Sequence, residues 1–389
     1  MTLNPVFIIS LFGGLFHLAY ILFGFMPPLQ FRPIHLAIII VLILINEIQK
    51  KKRPAVVWVN TILIILTLCS IGYVVINYEM IALKAGYVLL PTIILGVVLT
   101  LVILIVTQKV FGKVLTIVTL IFLAYAFLGG YIPQPIGHAG IGFGRVVNFL
   151  YTTGNGIFGL PLDVSARYIC IFLIMAEYFS RCGAEKLFIA IAYFVAKFAR
   201  AGAAKASVVA SALFGTLSGT PIANILVTGS FTIPMMKRSG FSPIMAAAVE
   251  ASASTGGIIM PPIMGAGAFI MAELLGVPYA KVMIAAAIPA ILYFFSLYVA
   301  IDLYALKNMP TVASKTQEET TVIGEEEEEL PRIRDYIHTI IPLVVFLICI
   351  LYFKITVFRG ALIAIVSTPI ASWLRPHTRM GFKDIILGI

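Results

Sequence analysis

Long apolar runs alternate with short polar or charged segments along almost the whole chain. A run of about 20 residues is long enough for an α-helix to cross the hydrocarbon core of a bilayer. The runs that predict such helices lie at residues 6–25, 34–49, 55–77, 87–107, 113–131, 163–180, 241–275, 279–304, 335–354 and 359–375. The pattern therefore predicts an all-α polytopic membrane protein with about ten transmembrane helices.

Two apolar stretches contain helix breakers in their middle. Residues 204–236 carry Gly215, Gly219, Pro221, Gly229 and Pro234, and residues 241–275 carry Gly256, Gly257, Pro261 and Pro262. Irregular backbone at membrane depth is tolerated only where it is buried in protein or lines a watery cavity. We therefore expect 241–275 to be a discontinuous helix, with irregular backbone at residues 252–262 and at the tip of the other stretch, residues 218–224.

Composition excludes the soluble globular class. Of the 389 residues, 61% are hydrophobic and 11% are charged, whereas charged residues average about 25% in soluble domains. The net charge of +10 is explained by membrane orientation, because Lys and Arg cluster at the ends of the apolar runs. Nucleic acid is therefore not an expected partner, and membrane lipid is.

The distribution of Lys and Arg predicts the orientation. A cytoplasmic N-terminus places 20 of the 27 Lys and Arg residues in cytoplasmic loops, as the positive-inside rule favours. Lys205 then lies on the same side as Lys237 and Arg238. Residues 204–236 should thus enter and leave by one face, as a re-entrant helical hairpin, and the C-terminus should also be cytoplasmic.

Three other segments have distinct compositions. Residues 185–200 are apolar with basic ends, which indicates a helix lying in the membrane interface or an additional, poorly formed span. Residues 308–333 form the polar linker, with five consecutive glutamates at 325–329, and are expected to be a solvated cytoplasmic loop. Residues 132–160 are rich in Gly and Pro and indicate a domain junction.

The breaker-rich segments carry the candidate chemistry. Neutral oxygens come from Ser218, Thr220, Asn224, Ser252, Ser254 and Thr255, while Gly219, Gly256 and Gly257 allow backbone carbonyls to turn inward. Secondary transporters use broken helices at the membrane midplane in this way, with carbonyls and hydroxyls around a small cation such as Na⁺ and half-helix N-termini toward an anion. Faces of small residues also serve close helix packing, and that interpretation stays open.

Ser252, Glu250 and Pro261 are possible supporting residues of this site. Glu250 lies about one turn before Ser254, where it could orient the site, carry a proton or make a buried hydrogen bond. The five histidines lack metal-site spacing, and the sequence has no phosphate-binding loop and no nucleophile elbow. We expect no enzyme activity and no ATP-driven transport; an intramembrane enzyme is the least favoured class.

Two long motifs resemble a known family. "SALFGTLSGTPIANILVTGSFTIPMMKRSGF" (211–241) and "AAAVEASASTGGIIMPPIMGAGAFIMAELLGVPY" (246–279) resemble the large membrane subunit of tripartite ATP-independent periplasmic (TRAP) transporters. The segments "RPIHLAI" (32–38), "YAFLGGYIP" (125–133) and "GIFGLPLDVSARY" (156–168) are similar to permeases in which the small and large subunits are fused and which work with TAXI-type binding proteins.

The resemblance implies an inner-membrane permease of the ion transporter superfamily, with an elevator-type transport domain built from inverted repeats. It implies Na⁺-coupled uptake of an organic anion such as a carboxylate, with Na⁺ as the coupling ion and no other cofactor, and an extracytoplasmic TAXI-type substrate-binding protein as partner. The ion and substrate site implied by the two motifs comprises Ser218, Gly219, Thr220, Asn224, Ser254, Thr255, Gly256 and Gly257. Na⁺ itself is assigned to Ser218, Asn224, Thr255 and Gly257.

Two departures concern the substrate pocket. Ile258 stands where the family usually has Gln after the paired glycines, and "SGTP" at 218–221 replaces a commoner Ser-Ala pair. One hairpin and one split helix are present, whereas the fold pairs two inverted repeats.

We therefore expect the chain to be the N-terminal part of a fused permease, acting with a separately encoded C-terminal half, or else a truncated, non-transporting remnant. The predicted domains are a five-helix region resembling the small subunit (1–135), the first part of the transport domain (136–307), the acidic linker (308–333) and two further helices with the C-terminus (334–389).

Overall fold

The computed structural model describes residues 4–84, 86–308 and 331–389. Within these ranges every regular element is a helix, which confirms the all-α prediction. The chain divides into two compact units, Met1–Arg167 and Tyr168–Ile389. The four predicted domain limits stay predictions, and residues 309–330 of the predicted acidic linker lie outside the described residues.

The helices of the first unit begin and end where the sequence provides the signals. They are α1 (Pro5–Phe23), α2 (Pro28–Lys51), α3 (Pro54–Ile76), α4 (Tyr78–Leu83), α5 (Leu90–Phe111), α6 (Lys113–Leu128), α7 (Phe143–Thr152) and α8 (Leu160–Val164). Proline occupies the first helical turn of α1, α2, α3 and α5, where its fixed φ suits the helix and its missing N–H costs nothing. Gly24, in the left-handed region at φ 58°, ends α1.

The core of the first unit forms where α7 packs against α5. A Cβ on Gly96 of α5 would lie 2.8 Å from Val147 and 2.9 Å from Tyr151, so only glycine admits this approach. The hydroxyl of fully buried Tyr151 donates to the carbonyl oxygen of Ser70 at 2.6 Å. The two helices are thus anchored to α3 by a satisfied polar contact inside an apolar core.

A buried carboxylate in the first unit binds two arginines. Asp163, at the end of α8, has a side chain only 3% exposed, and its oxygens lie 2.8 Å from Arg32 Nε and 2.6 Å from Arg167 Nη2. Arg32 also donates to the carbonyl oxygen of Phe158 at 3.1 Å. This cluster joins α2 to the segment around α8 by charge-assisted hydrogen bonds.

Two histidines that are distant in sequence are neighbours in the fold. His17 Nε2 and His35 Nδ1 lie 2.7 Å apart, and His35 Nε2 lies 3.0 Å from Ser165 Oγ. His17 Nδ1 lies 2.6 Å from the carbonyl oxygen of Gly13, which can only accept, so this nitrogen carries a hydrogen. The chain of bonds ties α1, α2 and the turn after α8 together.

The second unit contains the two interrupted elements. Its helices are α9 (Cys170–Arg181), α10 (Ala184–Phe198), α11 (Gly202–Ser218), α12 (Pro221–Arg238), α13 (Pro243–Gly256), α14 (Ala266–Leu275), α15 (Tyr279–Asn308), α16 (Ile333–Tyr336), α17 (Ile341–Leu351), α18 (Val357–Ser372) and α19 (Phe382–Leu387). The predicted span 163–180 corresponds to the end of α8, a π-helical turn at Ser165–Ile169 and α9. The predicted interfacial helix 185–200 corresponds to α10, and its position in a membrane stays a prediction.

Seven of the described helices are long and apolar enough to cross a membrane: Pro5–Phe23, Pro28–Lys51, Pro54–Ile76, Leu90–Phe111, Lys113–Tyr131, Tyr279–Asn308 and Ile333–Leu351. The other three predicted spans are interrupted or short, because a π-turn divides 163–180, a break divides 241–275, and α18 has only 16 residues. Many large apolar side chains on these helices are exposed, as lipid-facing residues are. The protein is a multi-pass membrane protein.

Candidate functional site

The hairpin of α11 and α12 turns within two residues. Gly219 adopts φ 58° and ends α11, and Thr220 precedes Pro221, the first residue of α12. The left-handed conformation at Gly219 reverses the chain, and proline at the first position starts the next helix at once. The irregular tip is therefore shorter than the predicted 218–224, and Asn224 lies in the first turn of α12.

The interruption of the second element also differs from the prediction. Gly256 and Gly257 have φ of −58° and −59°, so the helix continues through both glycines into a 3₁₀ turn at Gly257–Ile259. The backbone becomes irregular at residues 260–265, because Pro261 and Pro262 offer no N–H to continue the helical bonds. The prediction of unwound backbone from residue 252 is wrong for its first half, and Ser252, Ser254 and Thr255 are helical.

Two tyrosines of α15 bind carbonyl groups of this region. The Tyr279 hydroxyl lies 2.8 Å from the carbonyl oxygens of both Pro262 and Ile263. The Tyr293 hydroxyl donates to the carbonyl oxygen of Ser252 at 2.8 Å. The two Tyr279 bonds satisfy carbonyl groups of the irregular segment, whereas the Tyr293 bond is an additional contact to the helical part of α13.

Glycines bring the hairpin against the broken helix. A Cβ on Gly215 of α11 would lie 2.6 Å from the Cα of Gly257, and one on Gly219 would lie 2.3 Å from the carbonyl oxygen of Met264. Gly256 is used for a different contact, since its Cβ would lie 2.5 Å from the Tyr293 ring. Close packing of small residues therefore occurs in the same region as the polar residues of the candidate site.

The residues assigned to Na⁺ fall into two groups. Asn224 is fully buried and donates from Nδ2 to the carbonyl oxygen of Ser211 at 2.9 Å, and a Cβ on Gly257 would lie 3.0 Å from that same nitrogen. The Ser218 and Thr255 hydroxyls instead bond to nearby backbone carbonyls, at 3.4 Å to Thr220 and at 2.7 Å to Ala251.

The four residues assigned to Na⁺ thus form only part of a cation-binding site in this structure. Asn224 and Gly257 lie side by side, while the described contacts do not join Ser218 and Thr255 to them. The Asn224 carbonyl Oδ1 is a neutral oxygen of the kind that a weakly held hard cation uses.

The most connected polar residue of the unit is Glu250 on α13, which is 1% exposed. Five hydroxyl groups surround its carboxyl group: Ser207 at 2.7 Å, Ser211 at 3.3 Å, Ser254 at 3.0 Å, Thr232 at 2.5 Å and Thr228 in a short contact. They come from α11, α12 and α13. The predicted supporting residue is therefore the centre of a polar cluster, and Ser254 belongs to it.

The sequence contains a signal for this cluster that its analysis missed. Ser207 and Ser211 are four residues apart, as are Thr228 and Thr232 and also Glu250 and Ser254. Residues four apart lie on the same face of a helix. Three such polar pairs on consecutive apolar helices indicate that the three faces meet.

A second buried charged residue, Lys205, lies on α11 close in sequence to Ser207 of the Glu250 cluster. Lys205, counted in the sequence analysis among the loop cations, has a side chain only 6% exposed and forms an ion pair with Asp302 of α15. Its ammonium also lies 4.4 Å from the centre of the Tyr298 ring. The pair fixes the start of the hairpin to α15.

The second unit also contains a cavity of about 750 Å³. Its lining includes Phe269, Tyr279, Lys281, Lys354 and Tyr168, whose hydroxyl donates to Glu273 at 2.9 Å. None of the predicted site residues lines it.

Comparison with known proteins places the chain in one family. The model of the family described as "Tripartite ATP-independent periplasmic transporter, DctM component" matches residues 98–386. The chain belongs to this family. The matched range contains all the predicted site residues, and the family is a transporter permease and not an enzyme.

Several curated proteins match shorter stretches. The chain is 32% identical over 143 residues to the C4-dicarboxylate TRAP transporter large permease protein DctM of Vibrio cholerae, covering 36% of this chain and 31% of that protein. It is 31% identical over 145 residues to the DctM of Pseudomonas aeruginosa, covering 37% of this chain and 34% of that protein. The chain thus spans about a third of the length of these relatives. No solved structure matches.

Proposed function

We propose that the protein is the membrane permease component of a Na⁺-coupled, binding-protein-dependent secondary transporter of the TRAP type, and that it takes up an organic anion. The observation that carries the proposal is the contact of two interrupted helices, where Gly215 meets Gly257 and Gly219 meets Met264, within the range matched by the permease family. Broken helices in contact at membrane depth are how secondary transporters build their sites.

An anion is the class of substrate that this arrangement favours. The N-terminus of α12, which begins at Pro221, and that of α14, which begins at Ala266, each carry a partial positive charge from the helix dipole. The names of the relatives give C4-dicarboxylates as their substrates. We propose a carboxylate substrate and use succinate as the first probe.

Na⁺ would be held by Asn224 and Gly257 beside the glycine contact, with Ser218 and Thr255 completing the oxygen set after a local rearrangement. When bound there, Na⁺ supplies positive charge next to the anion. The chain's own residues position the Asn224 amide: Nδ2 donates to the carbonyl oxygen of Ser211 at 2.9 Å, and Oδ1 lies 3.1 Å from Thr228 Oγ1, a contact that Na⁺ would share or replace.

The partner proposed is an extracytoplasmic substrate-binding protein of the TAXI type, and the chain is proposed to be related to permeases in which the small and large membrane subunits are fused. The proposed location is the inner membrane, with both termini cytoplasmic. The experiment is uptake of radiolabelled succinate into proteoliposomes that contain the chain, its binding protein and any separately encoded second half. Uptake that needs both Na⁺ and the binding protein supports the proposal, and uptake independent of both contradicts it.

Asn224→Ala should weaken Na⁺ binding without unfolding the protein. The substitution removes Oδ1, and each 1.4 kcal/mol lost from binding weakens it about tenfold. We expect the Na⁺ concentration for half-maximal succinate uptake to rise by about tenfold or more.

The matched control is Asn308→Ala, because Asn308 is exposed and, among the described residues, donates to the carbonyl oxygen of Tyr304 at 3.1 Å. Unchanged Na⁺ dependence in Asn224→Ala would show that this residue is not a ligand.

A further inference from the structure

The cavity of about 750 Å³ in the second unit is lined by none of the residues proposed for Na⁺ and the substrate. Its walls are the end of α14, the start of α15, the end of α17, the start of α18 and Tyr168 of the π-helical turn. Small-molecule sites in proteins have volumes of about 300–1,000 Å³. The cavity is therefore large enough for a ligand of its own.

The cavity lies where two membrane spans end. Tyr279 is the first residue of the candidate span Tyr279–Asn308, and Leu351 is the last residue of the candidate span Ile333–Leu351. Both residues line the cavity, so the two span ends are at the same membrane surface. In the orientation proposed above, this is the extracytoplasmic surface. A ligand at this level would contact both the polar headgroup region and the hydrocarbon region of the bilayer.

Two lysines give the cavity a positive charge. Lys281 and Lys354 both line it and both are exposed. The acidic residue of the lining is Glu273, which accepts a hydrogen bond from the Tyr168 hydroxyl at 2.9 Å. Within the described ranges, neither lysine side chain forms an ion pair or a hydrogen bond with Glu273 or with any other residue. Two unpaired ammonium groups beside one carboxylate attract an anion.

Apolar side chains line the part of the cavity that lies deeper in the membrane. Ile284 follows Lys281 by three residues along α15, which places it about 4.5 Å further into the span. Ile350 lies within α17, before the chain leaves that helix and reaches Lys354. Both isoleucines line the cavity. The lining therefore changes from cationic at the membrane surface to apolar toward the membrane interior.

Two buried aromatic rings complete the apolar wall. The rings of Phe269 and Tyr279 stack with their centres 4.4 Å apart. The Tyr279 hydroxyl lies 2.8 Å from the carbonyl oxygens of Pro262 and Ile263, so its polar group is already satisfied and its ring offers only apolar contact. A cationic opening above an apolar wall matches a ligand with an anionic head and a hydrocarbon tail.

The backbone at Lys354 supports a role for this side chain. Lys354 has φ 53°, in the left-handed region that glycine and asparagine adopt most readily. A lysine in this conformation has an energetic cost, and such costs are concentrated at functional sites.

We propose that this cavity binds one anionic phospholipid, with the headgroup phosphate between Lys281 and Lys354 and an acyl chain along Ile284 and Ile350. A free phosphate ion would be attracted by the same two lysines, but it would leave the apolar wall without a contact. The proposal goes beyond the transport function and does not depend on it, because lipid binding is measured without transport.

The first test is native mass spectrometry of the purified full chain with added phosphatidylglycerol or with phosphatidylcholine of the same acyl chains. We expect a preference of about 25-fold for phosphatidylglycerol, since each lysine near an anionic headgroup contributes about fivefold. Lys281→Gln and Lys354→Asn should each weaken phosphatidylglycerol binding by about fivefold and leave phosphatidylcholine binding unchanged. The control is Lys383→Gln, because Lys383 is exposed on α19 and does not line the cavity.

Lys354→Asn also separates lipid binding from folding. Asparagine adopts the left-handed conformation more readily than lysine, so the midpoint of thermal unfolding without added lipid should stay the same or rise while phosphatidylglycerol binding weakens. If Lys281→Gln and Lys354→Asn bind phosphatidylglycerol as tightly as Lys383→Gln does, the proposal is overturned.

The second test concerns the acyl chain. Ile284→Trp should fill the apolar part of the cavity and weaken phosphatidylglycerol binding. The matched control is Ile288→Trp, because Ile288 lies one turn further along α15, has a similar exposure of 67% against 59% for Ile284, and does not line the cavity. Equal binding by these two variants would contradict the placement of the acyl chain and overturn the proposal.

Competition distinguishes a lipid from a small anion. Inorganic phosphate and succinate at millimolar concentration should leave phosphatidylglycerol bound to the wild type, because neither contacts the apolar wall. Displacement by either ion would overturn the lipid assignment in favour of a site for a water-soluble anion. Equal affinities of the wild type for phosphatidylglycerol and phosphatidylcholine would also overturn it, since the lysines would then not recognise the headgroup.

Discussion

Gly215→Ala should remove most succinate uptake and lower the stability of the second unit. The new Cβ would lie 2.6 Å from the Cα of Gly257, and a backbone atom cannot move aside as a flexible side chain can. Overpacking of this kind costs about 1–3 kcal/mol, which exceeds the gain of about 1 kcal/mol from replacing glycine by alanine in a helix. The hairpin must therefore separate from the broken helix at the point where the proposed site is formed.

The measurements are Na⁺-dependent uptake and the midpoint of thermal unfolding in detergent. Gly267→Ala on α14 is the control, since no atom of the described residues outside its own helical backbone lies within 4 Å of its added Cβ, and it should be neutral or slightly stabilising. If Gly215→Ala behaves like Gly267→Ala, the close approach of the two helices is not required.

Asp163→Ala should destabilise the first unit more than any other single substitution considered for it. The substitution removes the carboxylate oxygens that lie 2.8 Å from Arg32 and 2.6 Å from Arg167. Breaking a buried ion pair by deleting one member costs about 3–5 kcal/mol. We expect a large decrease in the midpoint of unfolding by sodium dodecyl sulfate, and a smaller decrease for Asp163→Asn, which keeps one of the two acceptor oxygens.

Glu177→Ala provides the comparison. It removes a carboxylate from a half-exposed pair with Arg181, and pairs of that kind contribute about 1 kcal/mol or less. Equal shifts for Asp163→Ala and Glu177→Ala would mean that the buried cluster does not stabilise the unit.

Much of the fold was predictable because helix length and helix ends are encoded locally. The predicted span 55–77 corresponds to Pro54–Ile76, since an uninterrupted apolar run with proline at its start favours one continuous helix with these ends. The hairpin was predictable for the same reason, because Gly219 and Pro221 are adjacent signals for the end of one helix and the start of the next.

The extent of the break was not predictable from local signals. Gly256 suggests a helix end, yet it remains helical because its missing side chain admits the ring of Tyr293. That ring is 37 positions away in sequence, and its contact is decided by tertiary packing. A glycine in an apolar helix can therefore mark either a helix end or a close packing contact, and only the tertiary structure distinguishes these two roles.

The assignment of the site residues stays a prediction, but the structure shows which of them are in contact. Asn224 and Gly257 meet as expected, whereas Glu250 was given a supporting role because a single acidic residue carries no information about its neighbours. His17 and His35 illustrate the same limit in the first unit, since their 2.7 Å contact joins two helices whose register the sequence does not specify. The four-residue spacing of the hydroxyl pairs around Glu250 is the signal that was available.

The two tyrosines on α15 determine how the broken helix can open. Tyr279 binds the carbonyls of Pro262 and Ile263, and Tyr293 binds that of Ser252. Local opening of residues 260–265 therefore also breaks the Tyr279 bonds to a neighbouring helix of 30 residues, and opening that extends back to Ser252 breaks the Tyr293 bond as well. In thermodynamic terms the break and α15 form one cooperative unit, and the free energy of opening this segment includes contacts that lie outside it.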